Sequence, residues 1–183
     1  NTAHELGHKN IAVDRVLAKT LLALSAYGHF FIEHNVGHHR DVATPEDSAS
    51  ARFDETLYQF IPREWIGGVK RAWRLEQQRI AKTKPASGVW ANQVLQAELT
   101  SLLFFGMILF LGGLTLLPFL LIQASGGWFL LSIANYIEHY GLKRERTASG
   151  RYERCRPQHS WNSNYFFSNM LLFNLQRHSD HHA

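Results

Sequence analysis

Residues 99–137 read LTSLLFFGMILFLGGLTLLPFLLIQASGGWFLLSIANYI, without one Asp, Glu, Lys or Arg. About 20 apolar residues span the hydrocarbon core of a bilayer, so this run holds nearly two crossings. Arg63, Lys70, Arg71, Arg74, Arg79, Lys82 and Lys84 precede it, and Lys143, Arg144, Arg146, Arg151, Arg154 and Arg156 follow it. Positive flanks mark cytoplasmic segments, and two cytoplasmic flanks require an even number of crossings between them. The sequence therefore predicts an all-α integral membrane protein with a two-helix hairpin turning between about Pro118 and Gly127, where Pro118 and Gly126–Gly127 are the helix breakers. One long helix from Leu99 to Ile122 followed by a re-entrant piece agrees less well with the charge rule.

The net charge of +4 invites a nucleic-acid reading. The charges lie in blocks beside an apolar run rather than in one stripe, so no nucleic-acid partner is expected and a lipid bilayer is. Cys155 is the only cysteine, which excludes an internal disulfide and a cysteine-ligated cluster and leaves an inert thiol. The chain opens on Asn1 against one histidine cluster and closes within another, and it reads as a piece of a longer protein. Residues 1–40 carry the first two clusters, 41–98 a cytoplasmic segment, 99–140 the hairpin and 141–183 a second cytoplasmic segment with the last cluster. A second apolar run, Thr20 to Ile32, suits a buried or interfacial helix better than a crossing. Asp41 to Ser87 is polar and reads as solvated loop and helix, with Trp65 and Trp73 as interface markers.

Nine of the eleven histidines are clustered: His4 and His8; His34, His38 and His39; His139; and His178, His181 and His182. Imidazole is a common transition-metal ligand, and nine are too many for one tetrahedral ion and suit two. His4 and His8 share a face if helical. On an α-helix His34 and His38 lie about 40° apart and His39 about 100° from His38, so neighbours diverge and can serve different ions. His178, His181 and His182, at i, i+3, i+4, carry the same implication. A straight helix from His8 to His34 would separate them by roughly 39 Å, so the chain must bend if both bind one site. Asp14 is a candidate helix cap and Ser25 to Gly28 a candidate break. His29 and His159 stand apart and are expected to be structural. Glu5, Glu33, Asp41, Glu138 and Asp180 adjoin the clusters, and ligating histidines usually donate their other N–H to such groups. Glu33, Glu138 and Asp180 are the candidates for that role or for direct ligation. Imidazole alone leaves zinc, copper, iron and nickel open.

The strings His4-Glu-Leu-Gly-His8-Lys9, Glu33-His34-Asn-Val-Gly-His38-His39, Asn135-Tyr-Ile-Glu-His139-Tyr-Gly-Leu142 and Leu175-Gln-Arg-His178-Ser-Asp-His181-His182 resemble the membrane-bound alkane monooxygenases. So does Val42-Ala-Thr-Pro-Glu-Asp47, although Ser48 stands where that family often has Pro. The resemblance covers essentially the whole chain. It implies a fragment of a six-helix transmembrane fold with a cytoplasmic-side, histidine-rich di-iron site, in the bacterial inner membrane. It implies that the nine clustered histidines ligate two non-haem iron ions. It further implies an alkane 1-monooxygenase that hydroxylates the terminal methyl of n-alkanes with O2 and two electrons from rubredoxin, itself reduced by an NADH-dependent reductase. Arg144, Arg146, Arg151, Arg154 and Arg156 are candidates to dock that acidic donor, since complementary charge speeds encounter. Phe and Leu residues of the hairpin are candidates to line an apolar tunnel for the alkane, lipid-facing packing being the alternative for most of them. A fatty-acyl desaturase or lipid hydroxylase is the nearest competing reading. A zinc peptidase built on His4-Glu5-Leu-Gly-His8 is a second, which leaves seven clustered histidines without a task. A metal-storage or sensing module is a third.

Overall fold

Residues 2–172 and 174–181 are described by the computed structural model, the side chains of Pro85, Leu171 and Asp180 excepted. Among them regular structure is helical, with isolated bridges at Arg146–Tyr152 and Asn162–Arg177 and no strand. The charge-free run forms two helices, α6 (Gln93–Gly112) and α7 (Leu117–His139), joined through a 3-10 turn at Leu114–Leu116. The Asn92 side chain starts α6 by accepting from the N–H groups of Val94 and Leu95 at 2.9 and 3.2 Å, which satisfies two donors that no helical carbonyl reaches. Gly113 ends it at φ +79°, a conformation that glycine adopts without a Cβ penalty. At 20 and 23 residues the helices are about 30 and 35 Å long, enough to cross a bilayer. Their apolar side chains face outward: Leu103, Phe110, Leu111 and Ile122 are 70–87 % exposed. A soluble core helix would bury them, so both helices suit a lipid surround and a membrane protein.

The expected turn is misplaced. It lies at Gly113–Leu116 and not between Pro118 and Gly127. Pro118 is the second residue of α7, where a missing N–H costs nothing because first-turn donors have no helical partner. It opens the helix rather than breaking it. Gly126 and Gly127 stay helical, as apolar surroundings demand of any backbone whose polar groups have no water to bind.

The chain divides into two compact units, described in turn. The first comprises Thr2–Gly37 and Gly68–Leu130. Here α1 (Thr2–Gly7) packs on α2 (Ala12–Ala23), and α2 packs on α6. The Thr20–Ile32 run is not one helix. It reverses at residues 24–28, where Ala26 has φ +48° and the Tyr27 N–H reaches back to the Leu22 carbonyl at 2.9 Å. Trp128 fastens this turn through its indole N–H on the Ser25 carbonyl at 3.1 Å and its ring against Tyr27. Asp14 is not the cap of α2: Ile11 holds that place without a side-chain bond, and Asp14 lies in the first turn, where the helix dipole favours an acid. Beyond the reversal come α3 (Phe30–Ile32), a π-helical segment (Glu33–His38) and α4 (His39–Asp41).

The second unit comprises His38–Gly67 and the described part of Leu131–Ala183. Helix α5 (Leu57–Thr83) begins here with a reciprocal cap: the Thr56 N–H donates to Gln59 Oε1 at 3.0 Å and the Gln59 N–H to Thr56 Oγ1 at 3.4 Å. The preceding polar loop is not solvated as expected. Val42, Ala43, Thr44, Asp47, Ala49, Ser50 and Ala51 are buried. Burial is possible because the loop's backbone groups have internal partners. Arg63 donates to the carbonyls of Ser48 and Ser50, Arg144 N–H to that of Ala43, and Gly141 N–H to that of Ala51. Trp65, expected as an interface marker, turns its indole N–H inward to Ser132 Oγ at 2.7 Å. Helix α8 (Phe166–Leu171) follows in the C-terminal segment.

Candidate functional site

Each unit gathers three of the clustered histidines. In the first, α1 brings His4 and the following turn His8, while the π-segment brings His34. The Nε2 atoms of His4 and His8 are 3.4 Å apart, and those of His8 and His34 are 3.2 Å apart. Three imidazole nitrogens on one ion at about 2.0–2.1 Å would sit about 3.0–3.4 Å from each other, so the spacing is that of a chelating set. Facing lone pairs this close repel without a shared cation or proton, and His4 and His34 are buried. Glu5 Oε1 accepts from His4 Nδ1 at 3.1 Å, which turns Nε2 toward the set. That contact occupies the glutamate in orienting a ligand, not in the general-base task a zinc peptidase would give it.

In the second unit His38, His139 and His178 form a triad whose ligand atoms lie within 4.8 Å of one another, every residue buried. His38 Nδ1 donates to Asp47 Oδ2 at 2.8 Å, and neither side chain is exposed. Asp47 also accepts from Ser50 Oγ at 2.6 Å, and the Ser50 hydroxyl accepts from the Ala43 N–H, whose residue holds φ +57°. His139 Nδ1 donates to the His159 carbonyl at 3.3 Å. With the proton on Nδ1, Nε2 carries the lone pair, so these contacts select the metal-binding tautomer. Glu138 Oε2 lies 3.4 Å from His178 Nε2. Imidazoles so gathered, buried in the second set and buried or half-buried in the first, can hold a transition-metal ion.

The division among neighbouring histidines differs from α-helical geometry. His34 joins His4 and His8, whereas His38 joins His139 and His178, although the two stand only four residues apart on Glu33–His38, which is π-helical and not α-helical. His39 lies outside both triads, its ring centroid 4.9 Å from that of His181. The last cluster is a 3-10 turn, His178–Asp180, not an α-helix, so residues three apart eclipse and the His178 and His181 rings stack at 5.1 Å. His182 and the Asp180 side chain lie outside the described residues. His29 and His159 have other partners, Glu98 at 3.1 Å and Glu153 at 3.4 Å.

Of the acids expected to orient ligands, Glu138 approaches His178. Glu33 meets Arg71 at 3.4 Å. Asp41 is gripped by the neighbouring Arg40. Sequence reading missed Asp47, nine residues from His38, and Glu64 on α5. Glu64 is buried, and its Oε1 accepts from Asn135 Nδ2 at 2.5 Å. Burial pushes its carboxyl up to about 7, the negative Asp47 adds to that, and hydrogen bonds from Ser132 and Asn135 oppose it. The signal for Asp47 was the Val42–Asp47 string itself, which resembled a family motif but lay in a polar stretch read as solvent-exposed.

The arginine block is not uniform. Arg144 donates to the carbonyls of Arg40 and Glu153 at 2.9 and 3.3 Å, and Arg146 pairs with Glu46 and stacks on Tyr152. Arg151, Arg154 and Arg156 are exposed. Behind Asp47 opens a cavity of about 360 Å³, with Thr44, Pro45, Ser50, Arg52 and Lys143 among its walls.

The family model described as fatty acid desaturase matches residues 1–183. The chain is 54 % identical over 183 residues to an alkane 1-monooxygenase of Pseudomonas putida, covering 100 % of this chain and 46 % of that protein. It is 54 % identical over 185 residues to alkane 1-monooxygenase 1 of Alcanivorax borkumensis, covering 100 % of this chain and 45 % of the relative. A xylene/toluene monooxygenase hydroxylase component of Pseudomonas putida is 25 % identical over 180 residues, 98 % of this chain and 47 % of that protein. The chain thus spans about half the length of the curated relatives it matches. A histidine-rich helical chain with two crossing-length helices, matched along its whole length, belongs to the fatty acid desaturase family, with alkane 1-monooxygenases among its relatives.

Proposed function

We propose that this chain is part of a membrane alkane 1-monooxygenase that converts the terminal methyl of an n-alkane to a primary alcohol. The observation that carries the reading is the 54 % identity to an alkane 1-monooxygenase in a match that spans the entire chain. The reaction balances as alkane plus O2 plus two electrons and two protons giving 1-alkanol plus water. No side chain cleaves an unactivated C–H bond, so a cofactor must. Two non-haem iron ions are the proposed cofactor, one held by His4, His8 and His34 and one by His38, His139 and His178. His39, His181 and His182 are proposed to complete their coordination. Bound iron supplies the activation of O2.

The protein's share is placement and exclusion. Asp47 and the His159 carbonyl hold His38 and His139 with their Nε2 lone pairs presented, Glu5 does the same for His4, and Glu138 is proposed to support His178. Burial of His4, His34, His38, His139 and His178 keeps water from competing for them. Rubredoxin, reduced by its NADH-dependent reductase, is the proposed donor. Arg151, Arg154 and Arg156 are its proposed landing charges, with the exposed Arg146 beside them and Arg144 taken up by the carbonyls of Arg40 and Glu153. The proposed setting is the cytoplasmic face of a bacterial inner membrane, which the basic flanks support, and the proposed whole is a six-helix transmembrane fold. Expression of the gene with a rubredoxin and its reductase, in a host fed mixed n-alkanes, tests the reading by mass spectrometry. Primary alkanols are expected; desaturated or hydroxylated host lipids with no alkanol would move the assignment to a lipid-modifying desaturase.

A further inference from the structure

The π-segment Glu33–His38 is clasped from α5 by one side chain. Arg71 reaches Glu33, its first residue, at 3.4 Å and donates through Nη2 to the carbonyl of Gly37, its penultimate residue, at 2.6 Å. Arg71 and Glu33 are 5 and 6 % exposed. A buried ion pair is weak support for stability, because desolvating two charges offsets their attraction and apolar replacements of like shape are often as stable. Its best-attested use is to fix a register. The register here is an unusual one. π-helical turns are rare, occur as single turns inside α-helices and cluster at functional sites. Gly37 fits the same design: a Cβ there would stand 2.9 Å from Arg71 Nε and 3.2 Å from Cζ, so the guanidinium lies against bare backbone.

We propose that Arg71 is a positioning residue that holds the Glu33–His38 π-turn and so keeps His34 aimed at His4 and His8. A π-turn differs from an α-turn in rise and rotation per residue, so relaxation to an α-helical register would carry His34 away from His4 and His8. Arg71 touches no imagined substrate; it acts through the backbone that carries two ligands.

The inference rests on the reading of these histidines as metal ligands, and the experiment separates the two. The full-length enzyme in lipid nanodiscs is loaded with cobalt(II), and metal per protein is measured with the visible ligand-field spectrum and the melting temperature. Gly37→Ala, which pushes the guanidinium off the turn while keeping both charges, should bind at most half the cobalt of the wild type and shift its ligand-field bands, with the melting temperature near the wild-type value. Glu33→Gln/Arg71→Met, which removes the pair without leaving one charge uncompensated, should do the same. Arg71→Lys, with one cationic head for two acceptors, should fall between. Wild-type cobalt content and spectrum in a folded Gly37→Ala or in the double variant would overturn the proposal while leaving the metal sites standing. Absence of cobalt from the wild type would overturn the reading of the histidines as ligands, and the proposal with it.

Discussion

Asp47→Asn is the sharpest perturbation of the proposed metal chemistry. The carboxylate accepts from His38 Nδ1 at 2.8 Å and from Ser50 Oγ at 2.6 Å, with neither Asp47 nor His38 exposed. The amide keeps the shape and one accepting oxygen but loses the charge. A hydrogen bond to a charged group contributes about 1.5–3 kcal/mol and a neutral one about 0.5–1.5, so the bond alone weakens by roughly 1–1.5 kcal/mol, close to tenfold in metal affinity. Loss of the carboxylate's attraction for a bound cation carries the effect toward the hundredfold end of the 10–100-fold range seen when such partners of ligating histidines are removed. The assay is a chelator competition on the purified protein, with metal per chain read by mass spectrometry. One equivalent, held by His38, His139 and His178, should weaken by about 10–100-fold while the His4, His8 and His34 equivalent keeps its affinity. Unchanged affinity at both sets, or equal loss from both, would refute the assignment of Asp47 to one set.

Three further outcomes follow. Glu64 is held near 7 against an ordinary value of 4.5, so the stability it contributes is full below pH 4.5 and is lost as pH rises through about 7. Relative to Glu64→Gln, the metal-free wild type should lose about 3 kcal/mol between those limits, checked by melting both proteins across that range; a difference independent of pH would sink the idea. Reversing Arg151 and Arg154 to Glu should slow rubredoxin-driven turnover, more at low salt than at high, since surface charges act mainly on encounter; rates equal to wild type at low salt would remove the docking surface. Arg144→Ala should instead lower stability by about 2 kcal/mol, because two carbonyls lose a charged donor, and should leave the salt dependence of turnover unchanged.

Much of this molecule was legible in the residues themselves. An uninterrupted apolar run can only be covered by lipid or core, so residues 99–137 announced two spans. Clustered imidazoles have few roles, so the ligand candidates were visible too. Backbone register was not. Nothing in Glu33-His34-Asn-Val-Gly-His38 signals a π-turn, because the residue that clasps it, Arg71, lies 38 positions from Glu33. The partner of His38 was hidden for a related reason. Residues 42–51 are polar enough to read as solvated, yet Arg63, Arg144 and Gly141 satisfy their backbone from inside and allow Asp47 to be buried. Pro118 misled because its effect depends on position: inside a helix it breaks, in the first turn it begins. The arginine block is sorted only in three dimensions, where Arg144 binds two carbonyls while Arg146 stays exposed beside Glu46 and Tyr152.

The most direct test of the central claim is the fate of oxygen. The full-length enzyme, reconstituted with rubredoxin, its reductase and NADH, is supplied with an n-alkane under ¹⁸O2 and the products are weighed by mass spectrometry. The account predicts 1-alkanol carrying one ¹⁸O atom, formed by the wild type and abolished in His139→Ala. Alkene or desaturated acyl chains without ¹⁸O in the organic product, or alkanol formation that survives His139→Ala, would contradict it.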